Sequence, residues 1–283
     1  MSQPWTQPRG IDPIERAHLR DAHGFSPPVH RFAPAPELAD VVRRYWLPVW
    51  SLPPGRTTVQ RVLQYPVCLV VVSADYAHVV GPTTGLSTRE LAGEGWAVGA
   101  MLQPAAGAML LDGPVVADTL REVTSLATID GAALVAEIRS TMAPAPSEAA
   151  RQQRAVAALE AALAGLGPVD EEGLLLNAIV DYVEGDSQVR RVGQICDKFA
   201  ITERSLQRLA ARRIGLSPKW LIQRRRLHEA SERLRESATV DLARVAADLG
   251  YADQAHFGRD WRRVTGLTPG AFAAEPLPTD LPT

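Results

Sequence analysis

At 283 residues, with 46% hydrophobic and 22% charged side chains, the chain is long enough for two domains, each with its own core. No run of about 18 apolar residues occurs, which argues against a transmembrane helix, and the Pro-rich start lacks the apolar core of a signal peptide, so a cytoplasmic protein is expected. The net charge of −2 is unevenly distributed: Arg190 to Arg263 holds 17 Lys/Arg against 9 Asp/Glu, whereas residues 1–171 hold 13 against 17. That asymmetry suits a polyanion partner for the second half, or a solvated helical face.

Residues 1–36 read as an irregular arm rich in Pro, Gly and His. His18, His23 and His30 lack His-x-x-x-His spacing, so no metal site is assigned and the default is surface histidines. A short helix over Glu37–Arg44 is followed by strand signals at Tyr45–Trp50, Thr57–Tyr65, Val67–Ser73, Tyr76–Val80, Thr88–Leu91 and Trp96–Leu102. Short β-branched and aromatic runs between Pro/Gly/Asp turns predict an antiparallel, barrel-like β-domain over residues 37–166. The continuous apolar run Val67–Val72 predicts a central strand, with Cys68 as a small core residue. A small barrel can hold a ligand, and Arg56, Arg61 and Gln64 either face such a cavity or face water. The ligand itself is not legible.

Ala127–Met142 and Ser147–Leu166 predict two helices flanking the sheet. Val156, Leu159, Leu163 and Leu166 form a stripe that suits either a dimer seam or packing on the same domain. Residues 167–172 read as an interdomain linker, 173–275 as an all-α domain, and 276–283 as a tail.

Within that α-domain one pattern occurs twice at an offset of 51 residues. Thr202, Leu206, Arg208, Gly215, Leu216, Ser217 and Pro218 recur as Asp253, Phe257, Arg259, Gly266, Leu267, Thr268 and Pro269. Such a repeat indicates a duplicated supersecondary unit, here helix, turn, helix at about 192–213 and about 241–264, joined by a helix from Ser217 to about Glu236. Thr202 and Asp253 are N-cap residues for the second helix of each unit. At 100° per residue, Leu206, Leu209 and Ala210 face inward, while Arg204, Gln207 and Arg208 face outward with Arg212 on the flank. In the second copy Phe257, Trp261 and Val264 face inward; Arg259 and Arg262 face outward, with His256 and Arg263 on the flanks. Guanidinium and amide groups on one face can bond bidentately to guanine and adenine edges in a major groove. The connecting helix is roughly 30 Å long, close to the spacing of about 34 Å between successive groove segments on one DNA face. On that helix Arg224, Arg225 and Arg226 can touch phosphates or remain solvated.

Leu206-Gln207-Arg208, Arg226-Leu227-x-x-Ala230, Gly250-Tyr251-Ala252-Asp253-Gln254-Ala255-His256-Phe257-x-Arg259 and Gly266-Leu267-Thr268-Pro269 closely resemble the AraC/XylS family of transcription regulators. The resemblance covers roughly residues 173–275. It implies a double helix-turn-helix that binds double-stranded promoter DNA, with RNA polymerase as a further partner of such activators. Carried over by position, it assigns DNA contacts to Thr202, Arg204, Ser205, Gln207, Arg208 and Arg212, and to Asp253, Gln254, His256, Arg259, Arg262 and Arg263. Ala200 stands where the family commonly has Gly, and Ala273 where an Arg commonly follows the closing aromatic. Arg44-Tyr45-Trp46 and Gly99-x-x-Leu102-x-Pro104 are more weakly similar to an N-terminal domain of part of that family, which implies small-molecule sensing or homodimerisation.

The expected fold class is thus α+β, and the expected function is promoter regulation, with no catalytic residue, cofactor or metal and no membrane partner. Two other functions compete: a sequence-indifferent architectural DNA binder, and a catalytic domain fused to a DNA-binding one. The second would need a clustered cysteine/zinc site or a cysteine at a strand–helix elbow; Cys68 and Cys196 supply neither.

Overall fold

A computed structural model describes residues 17–19, 27–236 and 240–275. His23, most of the N-terminal arm and the tail 276–283 lie outside the described residues. The described residues of the N-terminal half hold nine strands: β1 (His18–Leu19), β2 (Val29–Phe32), β3 (Val42–Ser51), β4 (Thr57–Val62), β5 (Leu69–Ser73), β6 (Ala77–Val80), β7 (Ser87–Ala92), β8 (Glu94–Leu102) and β9 (Leu120–Glu122). They pair antiparallel into two sheets, β1-β4-β7 and β2-β3-β8-β5-β6-β9. The barrel-like expectation therefore resolves into two hydrogen-bonded ladders and not a single closed ring.

The apolar run predicted as a central strand is β5, paired with β6 on one side and β8 on the other. Both of its faces are covered, so Val70, Val71 and Val72 are all buried. On β8, Gly99 pairs opposite Trp46, and a Cβ at Gly99 would lie 2.3 Å from the Trp46 ring. The bare glycine lets that indole lie flat across the strand.

The predicted helix over Glu37–Arg44 is corrected. A 3-10 turn covers Pro36–Leu38, and β3 has already begun at Val42 to pair with β8. Strand pairing overrides the local helical pattern there. The arm reading also missed β2, and β9 was not anticipated; these are the two edges of the larger sheet. Edge strands are short and polar, which hides them from a search for apolar runs.

The helices are α1 (Ala106–Leu110), α2 (Gly131–Met142), α3 (Ala149–Ala164), α4 (Glu171–Gly185), α5 (Val192–Phe199), α6 (Glu203–Ile214), α7 (Pro218–Glu236), α8 (Leu242–Asp248), α9 (Gln254–Thr265) and α10 (Pro269–Ala273). Helices α2 and α3 cover the larger sheet. Val156, Leu159 and Leu163 are buried in that core and Leu166 packs against it, so the α3 stripe serves its own domain and not a dimer seam. Cys68 is also in this core, where burial pushes its thiol up to about 12.

The α-domain has two cores. The first joins α4, α5 and α6 to the start of α7; the second joins the rest of α7 to α8, α9 and α10 and includes Leu19 and Leu63 from the β-domain. The 167–172 segment expected as a linker does not stand apart from either domain. Asp170 caps α4, and Asn177 two turns later accepts from the Ala105 amide at 2.9 Å and donates to the Asp40 carbonyl at 3.1 Å.

Candidate nucleic-acid interface

The two helix-turn-helix units close their turns by different means. Between α5 and α6, Ala200 adopts the left-handed conformation (φ 52°), which strains a residue with a Cβ. Between α8 and α9, Gly250 (φ 74°) takes the same region without that penalty. Thr202 Oγ1 then accepts from the Ser205 amide at 3.1 Å to cap α6, and Asp253 accepts from the His256 amide at 2.6 Å to cap α9. Gly215 and Gly266 end the two helices with positive φ, and Ser217 and Thr268 cap α7 and α10.

These caps fix the faces of α6 and α9. Leu206, Leu209 and Ala210 are buried, as are Phe257 and Trp261. Arg204, Gln207, Arg208 and Arg212 are exposed on α6, and Gln254, His256, Arg259, Arg262 and Arg263 are exposed on α9. Gln254, assigned through the family resemblance alone, thus lies on the outside. Arg204, Arg208, Arg259 and Arg262 make no hydrogen bond or ion pair among the described residues, so their guanidiniums are available to a ligand.

The other candidates are partly engaged. Gln207 Nε2 donates to Glu203 at 3.0 Å, and Thr202 and Ser205 share a hydroxyl hydrogen bond of 2.9 Å. Arg212 is paired with Glu172, and its neighbour Arg213 with Asp170. Arg263 is bridged to Asp260 at 2.9 Å within its own helix. Asp260 is itself buried and stands where the first copy has Leu209, a polar inward position that the inward-facing set from the wheel omitted. A search for basic residues missed Asp170, Glu172 and Asp260, because acids in a linker or on a helix carry no distinguishing sequence signal.

The basic run on α7 is corrected. Arg224 is 2% and Arg225 4% exposed, so neither is a phosphate contact in this arrangement. Arg224 donates to the carbonyls of Thr83 and Thr84 at 2.9 Å and of Gly85 at 3.3 Å, and stacks on Trp220 with its guanidinium carbon 4.4 Å from the ring centre. Burial lowers its pKa to about 10, still far above neutrality. Arg225 donates to the Val189 carbonyl at 2.8 Å and to Glu229 at 2.5 Å. His228 Nε2 lies 2.7 Å from the Leu63 carbonyl. The connector is thus wedged against the β-domain along its length.

A partly buried ion pair adds to this junction: Arg43 of β3 binds Glu184 of α4 at 2.6 Å, and the exposed Asp181 at 3.2 Å. Burial pushes the Glu184 carboxyl up while Arg43 pulls it back.

The three residues considered for a ligand cavity have separate engagements. Arg56 is exposed beside the Gly55 turn, Arg61 is bridged to Glu275 at 2.6 Å, and Gln64 is buried and accepts from Thr83 Oγ1 at 2.9 Å. A cleft of about 370 Å³ instead opens between the domains, lined by Ala108, Met109, Gly113, Pro114, Glu172, Arg212 and Arg213.

Two capped helix-turn-helix units joined by one long helix, each with arginines on its outward face, define a double helix-turn-helix domain. Comparison with known proteins agrees: residues 195–275 match the family described as "Helix-turn-helix domain", and residues 30–123 match a domain of unknown function, DUF6597. The transcriptional activator RhaS of Escherichia fergusonii is 36% identical over 75 residues, 26% of this chain and 27% of that protein. RhaS of Pectobacterium carotovorum is 30% identical over 77 residues, 27% of each. The chain thus spans about a quarter of the length of these curated relatives. Among solved structures, ToxT from Vibrio cholerae is similar at 11% identity and a TM-score of 0.40, over 88% of this chain and 97% of that one. The C-terminal domain of AraT from Geobacillus stearothermophilus is similar at 15% identity and a TM-score of 0.35, over 40% and 95%. The C-terminal half is an AraC/XylS-type double helix-turn-helix domain. No helix among the described residues is long and apolar enough to cross a membrane.

Proposed function

We propose that the protein is a sequence-specific DNA-binding regulator of promoter activity, with α6 and α9 reading adjacent major grooves of one duplex. The observation that carries this reading is the pair of outward faces. Arg204 and Arg208 on one helix, and Arg259 and Arg262 on the other, are exposed and unpaired among the described residues on duplicated, capped scaffolds. A solvated helix face mixes acids with bases; here the acids on the two helices are engaged elsewhere, Asp253 as a cap, Asp260 with Arg263 and Glu203 with Gln207. The bases read by the two copies differ, since Arg204 and Gln207 occupy one face and Gln254 and His256 the other. RNA polymerase is the further partner for an activator of this type, and the relatives are named as activators.

The N-terminal domain serves as sensor or dimerisation element in this reading. Because it grips α7, a change in it reaches both reading helices, and the interdomain cleft is where a small molecule would touch both domains. The deciding experiment is selection of bound sequences from random duplex DNA, followed by competition with unrelated DNA. A recovered motif preferred by at least about 1,000-fold supports specific regulation; equal affinity for all duplexes would leave the architectural reading. Sedimentation of the free and DNA-bound protein gives its oligomeric state.

The catalytic-fusion reading has less support. A nucleophilic cysteine must carry a thiolate near neutral pH, and burial among apolar neighbours pushes the Cys68 thiol up to about 12.

A further inference from the structure

The C-terminal end of α6 is held by the β-domain side of the molecule. The Val115 amide donates to the Arg212 carbonyl at 3.1 Å. A Cβ at Gly215 would lie 2.6 Å from the Val115 carbonyl oxygen, so the 115–117 segment runs directly across the helix end. Two acids from the start of α4 then meet the last turn of α6: Asp170 binds Arg213, and Glu172 binds Arg212 and lies 3.7 Å from Arg213.

The two arginines differ in consequence. Arg213 has a side chain 12% exposed, enclosed between both acids, and its guanidinium holds the Asp170 carboxyl below the usual carboxylate range. Arg212 and Glu172 are 46% and 56% exposed, a pair that water and salt can exchange. Arg212 lies one turn beyond Arg208 and about 40° round the helix from it. With Arg204, Gln207 and Arg208 toward base edges, that flank meets the groove wall, where the phosphates are. A phosphate and the Glu172 carboxylate would compete for one guanidinium.

We propose that Glu172 is an intramolecular counterion that occupies Arg212 in the free protein and limits the hold of the first helix-turn-helix on the DNA backbone. This rests on the DNA-binding reading above. The repeat supplies its own contrast: the position equivalent to Arg212 is Arg263, whose acidic partner among the described residues, Asp260, comes from the same helix. Among the described residues, the arginine at this repeat position is thus held by an acid outside the repeat in the first unit and not in the second.

The test uses the full chain and a short duplex of random sequence, titrated over a range of salt concentrations. Glu172→Gln should bind roughly three- to tenfold more tightly near 0.1 M salt. Its plot of log affinity against log salt should steepen by about 0.9, the value for one added phosphate contact. In an Arg212→Gln background, Glu172→Gln should change neither quantity. The proposal is overturned by unchanged or weaker binding of Glu172→Gln, or by an equal gain in the Arg212→Gln background, which would mark a general loss of negative charge. Wild-type protein that binds no duplex even at low salt would overturn the DNA-binding reading together with this one. Wild-type binding with a silent Glu172→Gln overturns the counterion alone.

Discussion

The two helix-turn-helix units share a scaffold but are stabilised differently. The first has an aliphatic core, with Leu206, Leu209, Ala210 and Ile214 against α4 and α5. It meets the β-domain largely through polar contacts: Arg43 with Glu184, Asn177 with Ala105 and Asp40, and Val115 with Arg212. The second has an aromatic core. The rings of Phe257 and Trp261 lie 6.1 Å apart and those of Trp261 and Phe272 5.1 Å apart, and Leu19 and Leu63 of the β-domain pack into the same cluster. Repetition thus fixes the geometry, while the coupling of each copy to the rest of the chain is free to diverge. Ion pairs make the first coupling sensitive to salt and pH; apolar packing makes the second less so, with Arg61–Glu275 as its ion pair to the β-domain.

The largest expected effect tests the aromatic core. Trp261→Ala should destabilise the second unit by about 3–5 kcal/mol in urea unfolding, because the indole is fully buried. Loss of under about 1 kcal/mol would mean that the two cores do not differ as described. Next in size is Arg224→Ala, which takes a buried guanidinium from three carbonyl groups of the Thr83–Gly85 turn and removes the stack on Trp220. A loss of roughly 2–3 kcal/mol is expected, and a neutral result would show that the β-domain does not grip the connector. Arg208→Ala and Arg259→Ala should each lower discrimination at the bases they read by about 1–3 kcal/mol, measured by competition between cognate and mutated duplexes.

Acid should loosen the first unit before the second. The Asp170 carboxyl is held low, first by the Arg213 guanidinium and then by the Gly173 amide. A depressed carboxylate contributes its stability above the ordinary aspartate range and loses it as pH falls through the lower folded value. Fluorescence of Trp220, which packs on the first core, should therefore change in acid at a lower pH in wild type than in Asp170→Asn, which keeps the cap but lacks the charge that binds Arg213. Coincident transitions would contradict the polar coupling. The smallest effect is at Ala200: replacing it with Gly should relieve left-handed strain and raise stability by up to about 1 kcal/mol, with no matching gain available at Gly250.

Much of this contrast is legible before any coordinates. The 51-residue offset, the caps Thr202 and Asp253 and the inward sets Leu206/Leu209/Ala210 and Phe257/Trp261 all follow from local periodicity, and the structure places them accordingly. The central strand is legible for the same reason, although it begins at Leu69, two residues into the apolar run Val67–Val72. What local patterns do not carry is pairing between distant segments. Glu37–Arg44 looks helical until β8 claims Val42, and β2 and β9 are edges with few apolar residues. Arg224 and Arg225 look like phosphate contacts until Thr83–Gly85 and Val189 take their guanidiniums. Asp170 and Glu172 look like linker acids until the fold brings them to Arg213 and Arg212.

The central claim is that α6 and α9 read two adjacent major grooves. Hydroxyl-radical footprinting on a selected operator tests it most directly. Two protected patches about 10 base pairs apart on one face of the duplex are predicted, with Arg208→Ala weakening one patch and Arg259→Ala the other. A single patch, or two patches that both variants leave intact, would contradict it.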